Sequence, residues 1–183
     1  MRWKQIAATA VTVGAVSAAG IATTALAAQV RPAGFGMFKT WKGAQAAAGF
    51  KLVKPTRTYG HVRNGDIAVA RCEVKKPKKM QGKRVVSANY GLTPASSLAL
   101  FQNNSGNPCS TVGKVKALGK VKVGGTTAQL TGKCGFDKLT SCKSTKIFLF
   151  LTWSKHGAYY VASSFGESRK TLAGFAAGLR PVG

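Results

Sequence analysis

The residues able to do chemistry are few, and one kind outnumbers the rest. The chain has 28 Lys and Arg against 4 Asp and Glu, a net charge of +24, with 2 His and 4 Cys. A field of that sign gathers anions and speeds their encounter, so the chemistry that composition favours is charge-driven binding. The run Lys75-Lys76-Pro77-Lys78-Lys79 continues through Lys83-Arg84. It offers several point charges to a phosphate-bearing or teichoic-type polymer, with contacts that are sequence-independent and weakened by salt. A second run, Lys114, Lys116, Lys120, Lys122, alternates with Val and Leu, and a strand would put those lysines on one face.

Catalysis has less to work with. Two-carboxylate chemistry would need two of Asp66, Glu73, Asp137 and Glu167 to converge, and their spacing gives no sign of it. His61 and His156 are too few for an ordinary zinc site, and no metal or cofactor is expected. No Gly-x-Ser-x-Gly elbow is present. Cys142, with His61 upstream and Arg169 downstream, follows the Cys/His/Arg order of sortase transpeptidases, but Cys134 stands close enough to claim Cys142 in a disulfide. The expectation is therefore a non-catalytic protein.

The first 27 residues read as a cleavable export signal. Arg2 and Lys4 precede an uncharged stretch from Ile6 to Ala28, and Ala25-Leu26-Ala27 is a small-x-small cleavage site. A retained anchor is the rival, although a run this rich in Ala, Thr, Gly and Ser is weakly hydrophobic for lipid. Cleavage leaves 156 of the 183 residues at +22. Four cysteines in an exported chain suit two disulfides, for which Cys72–Cys109 and Cys134–Cys142 are preferred among three connectivities.

Residues 28–36 form a lead-in, and 37–183 a single basic domain. Met37 to Phe50 has apolar residues at helical spacing, as does Glu167 to Leu179, where Glu167 would complement the helix dipole. Between them Ile67–Val74, Arg84–Tyr90, Ser97–Gln102, Val121–Val123, Thr127–Thr131, Ile147–Ser154 and Ala158–Ser163 read as strands. Gly124-Gly125 and Lys155-His156-Gly157 read as hairpin turns. The expected class is α+β: an antiparallel sheet covered by an N-terminal and a C-terminal helix. Trp41, Trp153, Tyr160 and Phe175 would meet between sheet and helices, either as core or as an apolar cleft.

The order of landmarks resembles the small extracytoplasmic domains of unknown function at the outer end of bacterial anti-sigma factors and in secreted lipoproteins, which are similar in fold to lipoprotein carriers. The resemblance runs from Phe38 to Leu179. It rests on Ala44 to Gly49-Phe50 with Leu52-Val53 and Pro55, on Gly124-Gly125-Thr126-Thr127-Ala128, and on Leu151-Thr152-Trp153, Gly157, Tyr159-Tyr160 and Thr171 to Leu179. Where that pattern usually has a second Pro, this chain reads Thr56-Arg57-Thr58-Tyr59-Gly60, and its last helix lacks the usual acids. The resemblance implies a sensing, carrier or binding module.

These readings converge on a secreted binding module that associates with anionic cell-envelope polymers or phospholipid surfaces through a basic face. The alternative is a carrier or sensor that takes an acyl chain or protein partner in the apolar cleft. Nucleic acid fits less well, because export argues against it and only Tyr90 and Phe101 lie near the basic runs for stacking.

Overall fold

Short β-branched runs punctuated by glycine turns dominate this chain, and they pair almost entirely with one another. The computed structural model describes residues 36–72, 83–93, 95–109, 115–134 and 147–183. In chain order these hold β1 (Gly36–Phe38), α1 (Trp41–Ala48), β2 (Val53–Pro55), β3 (Val62–Arg63), β4 (Ile67–Arg71), β5 (Arg84–Thr93) and β6 (Ser96–Asn103). There follow β7 (Lys116–Val123), β8 (Thr126–Cys134), β9 (Ile147–Lys155), β10 (Ala158–Phe165), α2 (Arg169–Ala177) and β11 (Leu179–Pro181). A nine-stranded antiparallel sheet runs β1-β4-β5-β6-β10-β9-β8-β7, with β3 also beside β5, while β2 and β11 pair separately.

The expected α+β sheet covered by two helices is overturned. Strands hold 57% of the described residues and helices 14%, so the fold is mostly antiparallel β. Length is the physical reason. Helices of 8 and 9 residues are only about 12 and 14 Å long, whereas eight strands side by side span roughly 34 Å. Local chemistry sets those lengths. Thr40 caps α1 by accepting from the Gly43 N–H, and Gly49, at φ 72°, ends it with a left-handed turn. Phe38, expected in the helix, instead pairs with Ile67 in the sheet. Ser168 caps α2 by accepting from the Thr171 N–H, so Glu167 falls outside the helix rather than in its first turn.

Strand alternation builds the main core on one face of the sheet. Ile67, Val69, Val86, Leu98, Leu100, Leu130, Leu149 and Leu151 meet Leu172 and Phe175 of α2 there. The small β2–β11 sheet is joined to the large one by a side chain. Gln102, buried on β6, accepts from the Val53 N–H at 2.9 Å and donates to the Val53 carbonyl at 2.8 Å. Its amide thereby pairs with β2 as a peptide group would, leaving neither buried end unsatisfied.

Candidate functional site

Three of the arginines are tied to backbone carbonyls. Arg84 donates to the Ala48 carbonyl at 3.0 Å, at the end of α1, and Arg180 to the Ala177 carbonyl at 3.1 Å, at the end of α2. Both complete carbonyls that a helix C-terminus leaves open. Arg63 donates to the carbonyls of Lys39 and Gly65. The lysines do the opposite: all eleven described ones are exposed, and only Lys155 has a described hydrogen bond, to the Gly124 carbonyl. Among the described residues the acids are Asp66 and Glu167 alone, and the ion pair they show is His61–Glu167. A flexible ammonium is a hydrated point charge without the bidentate fork of arginine. Exposed ammonium groups of this kind act on anions by distributed attraction.

Among the described residues the lysines are densest on β7, at the edge of the sheet. An extra residue between Ala117 and Gly119 bulges the strand against β8. The bulge sends Leu118 to the core with Val121 and Val123, since a Cβ on Gly132 would overlap its side chain. Strict alternation would have put Leu118 among the lysines. Lys120 and Lys122 consequently share the opposite face, about 7 Å apart, while Lys116 falls out of phase with them. Charged side chains also keep such an edge from pairing with another chain. Lys83 is exposed, whereas Arg84 is half-buried against α1. Lys75, Lys76, Lys78, Lys79 and Lys114 lie outside the described residues. The segment carrying the first four connects β4 to β5, and the Cys72 N–H closes it by donating to the Lys83 carbonyl at 2.7 Å.

Cys72 and Cys109 form the expected disulfide, buried beside Ala70 and Val85. Cys134 is disulfide-bonded too, and Cys142, its expected partner, lies outside the described residues. Such bonds belong to an oxidising, extracytoplasmic environment. No helix among the described residues is long and apolar enough to cross a membrane.

One buried polar cluster escaped the sequence reading. His61, 4% exposed, donates from Nδ1 to the Thr58 carbonyl at 2.7 Å, and its Nε2 lies 2.9 Å from Ser96 Oγ and 3.2 Å from Glu167 Oε1. The Ser96 hydroxyl in turn donates to Glu167. These are the residue types of a serine-hydrolase triad in a different arrangement. A triad sets serine and carboxylate on opposite ring nitrogens, whereas here both address Nε2 and the serine proton points to the carboxylate. The cluster is a clamp, joining the loop before β3, the β5–β6 turn and the approach to α2. Arg169, the third member of the transpeptidase pattern, is exposed on α2. His61→Ala should cost about 1–3 kcal/mol in urea unfolding, because it removes a buried ring and leaves the Thr58 carbonyl without its hydrogen-bond donor. Glu167→Gln should cost less, since an amide still bonds Ser96.

The four apolar-cleft candidates do come together, but packed. Phe175 is fully buried and meets Tyr90 edge-on at 5.7 Å, and Trp153 stacks on Tyr160 at 5.3 Å. Trp41 packs on the same core and hydrogen-bonds Tyr90. A cavity of about 20 Å³ lies elsewhere, lined by Val85, Phe101, Cys109, Tyr159 and Val161. It would hold about one water, not an acyl chain.

The Tyr90 packing has a measurable consequence. Burial pushes its hydroxyl up to about 12, against the opposing pull of Trp41 and the Arg63 charge. Burial raises Tyr159 and Tyr160 as well. Above pH 10 the unfolded chain releases the Tyr90 proton while the folded chain keeps it until about pH 12. Its contribution is therefore complete below pH 10 and fades as pH rises through that window, by about 1 kcal/mol per pH unit. Unfolding free energies of the wild type and Tyr90→Phe, measured at steps through this range, should show the shallower decline in the variant.

No protein-family model, curated protein or solved structure matches the chain.

Proposed function

We propose that this is a secreted, non-catalytic module that holds an anionic cell-envelope polymer through distributed lysine charge. The observation carrying this reading is the exposure of every described lysine. Arg63, Arg84 and Arg180 donate to backbone carbonyls, while the described lysines stay exposed and outside ion pairs. The Lys75–Lys79 run continues into Lys83 and Arg84, and the lysines of β7 supply the exposed strip. The acyl-carrier alternative draws less support, because Trp41, Trp153, Tyr160 and Phe175 fill the space between sheet and helices with their own side chains.

The test is retention on purified cell envelope, washed at low and then at high salt. Retention at low salt and release at high salt is the expected result, because exposed charges are screened within about 10 Å at 0.1 M salt. The variant Lys116→Gln/Lys120→Gln/Lys122→Gln should make the salt dependence shallower, by about two to three in log–log slope if each lysine displaces one counterion as on other linear polyphosphates. No retention at either salt would refute the reading.

A further inference from the structure

Where β3 joins the sheet, the chain leaves apolar side chains in water. Val62 is 71% exposed, Leu92 54% and Tyr59 46%. They are neighbours: Val62 pairs with Gly91, and a Cβ on Gly60 would lie 3.7 Å from the Leu92 side chain. Val62 shares its face with Gly91, and Leu92 follows as the extra residue of a bulge against β6, which pushes the strand out of regular alternation there. The tip is therefore apolar and exposed. Tyr59 is held in place rather than left loose. Its backbone sits at φ 53°, where bulky side chains are rare, and its ring lies so close to α2 that a Cβ on Gly174 would overlap the hydroxyl. Beneath the tip, the His61–Ser96–Glu167 clamp fixes all three segments that supply it.

Cations frame the tip. Arg57 is exposed two residues before Tyr59, and Arg169 and Lys170 are exposed just beyond Glu167. Glu167 is bonded inward, and Asp66 stands in the turn after β3. A second copy of this chain would bring like charges together, which argues against self-association. An anionic bilayer meets both features, because acyl chains can take up an exposed apolar tip while phosphates take the cations. Tyrosine, apolar in body and polar at its end, suits that boundary.

We propose that this tip docks on an anionic phospholipid bilayer, with Tyr59, Val62 and Leu92 entering the headgroup boundary and Arg57, Arg169 and Lys170 on lipid phosphates. The site is formed by β3, β5 and α2 rather than by the β7 lysines, and it does not depend on the polymer reading.

The test is co-flotation of the disulfide-intact protein with vesicles of phosphatidylglycerol or of phosphatidylcholine, at low and high salt. The wild type should float with phosphatidylglycerol and keep part of that binding at high salt. Tyr59→Ser/Val62→Ser/Leu92→Ser, which removes no charge, should bind about tenfold or more weakly at the same salt. The lysine variant of β7 should retain the salt-resistant part. Wild-type affinity in the serine variant would overturn the proposal, as would complete release of the wild type by salt or equal binding to phosphatidylcholine. Should the triple variant lose its native circular dichroism, Val62→Ser alone, at the most exposed position, gives the same comparison.

Discussion

Replacing Cys72 and Cys109 together by alanine should lower the unfolding free energy by about 4 kcal/mol. The bridge closes a 37-residue separation, and the entropy removed from an unfolded chain by a loop of that size corresponds to that amount at 25 °C. Alanine is the right replacement because both sulfurs are buried in an apolar pocket with Ala70 and Val85, where serine would add an unsatisfied hydroxyl. The bond ties the end of β4 to the loop after β6, across β5. That loop is also held by Asn103, which donates to the Asn107 carbonyl at 2.9 Å and accepts from the Ser105 N–H at 2.9 Å. Urea unfolding of the double variant, with Cys134 and Cys142 intact, measures the loss. A difference below about 1 kcal/mol would mean that the unfolded chain is already held compact in this region.

Phe175→Ala should be comparably severe, at about 3–5 kcal/mol, because the side chain is fully buried and its cavity would open at the centre of the main core. Its edge-on contact with Tyr90 makes the loss more than one of area. With Leu172 and Ala176 it holds α2 to the sheet, so the His61–Ser96–Glu167 clamp should loosen with it. Phe175→Leu, which keeps most of the volume, should cost far less. Denaturant midpoints of the two variants separate cavity formation from loss of the aromatic contact. A Phe175→Leu midpoint equal to that of the wild type would show that the ring contributes little beyond its bulk, and one equal to that of Phe175→Ala would put the loss in the aromatic contact.

Parts of this fold were legible in short windows of sequence. The β9–β10 hairpin follows from two apolar runs around Lys155-His156-Gly157, and the structure places its turn there, with His156 at φ 50° and Gly157 at φ 77°. The Gly124-Gly125 signal likewise marks the β7–β8 turn, because both glycines adopt positive φ. The Cys72–Cys109 pair is the one left over, among three connectivities, once Cys134 and Cys142 are assigned to the short loop they flank, and the structure bears it out. In each case a few adjacent residues, or simple counting, carry the information.

Other features depend on partners far away in the chain. Three residues of β2 and three of β11 are too few to show a period, and they become strands only by meeting each other, with Gln102 supporting β2. The bulge that turns Leu118 inward is set by pairing with β8, not by the alternation within β7. The β-rich class was misjudged for a related reason: helical spacing in 37–50 and 167–179 cannot show that capping and sheet pairing leave only 8 and 9 residues in helix.

His61, Ser96 and Glu167 lie 35 and 71 residues apart along two of their bonds, so no local pattern announces them. The sequence alone determined the positive charge, the cysteine number and the turns, because composition and nearest neighbours decide those. Only the tertiary structure decided that Arg84 and Arg180 cap helices while the described lysines remain exposed, and that a clamped apolar tip stands among cations. Those outcomes rest on which distant groups share a low-dielectric interior, and there a polar group must find its partner or stay in water.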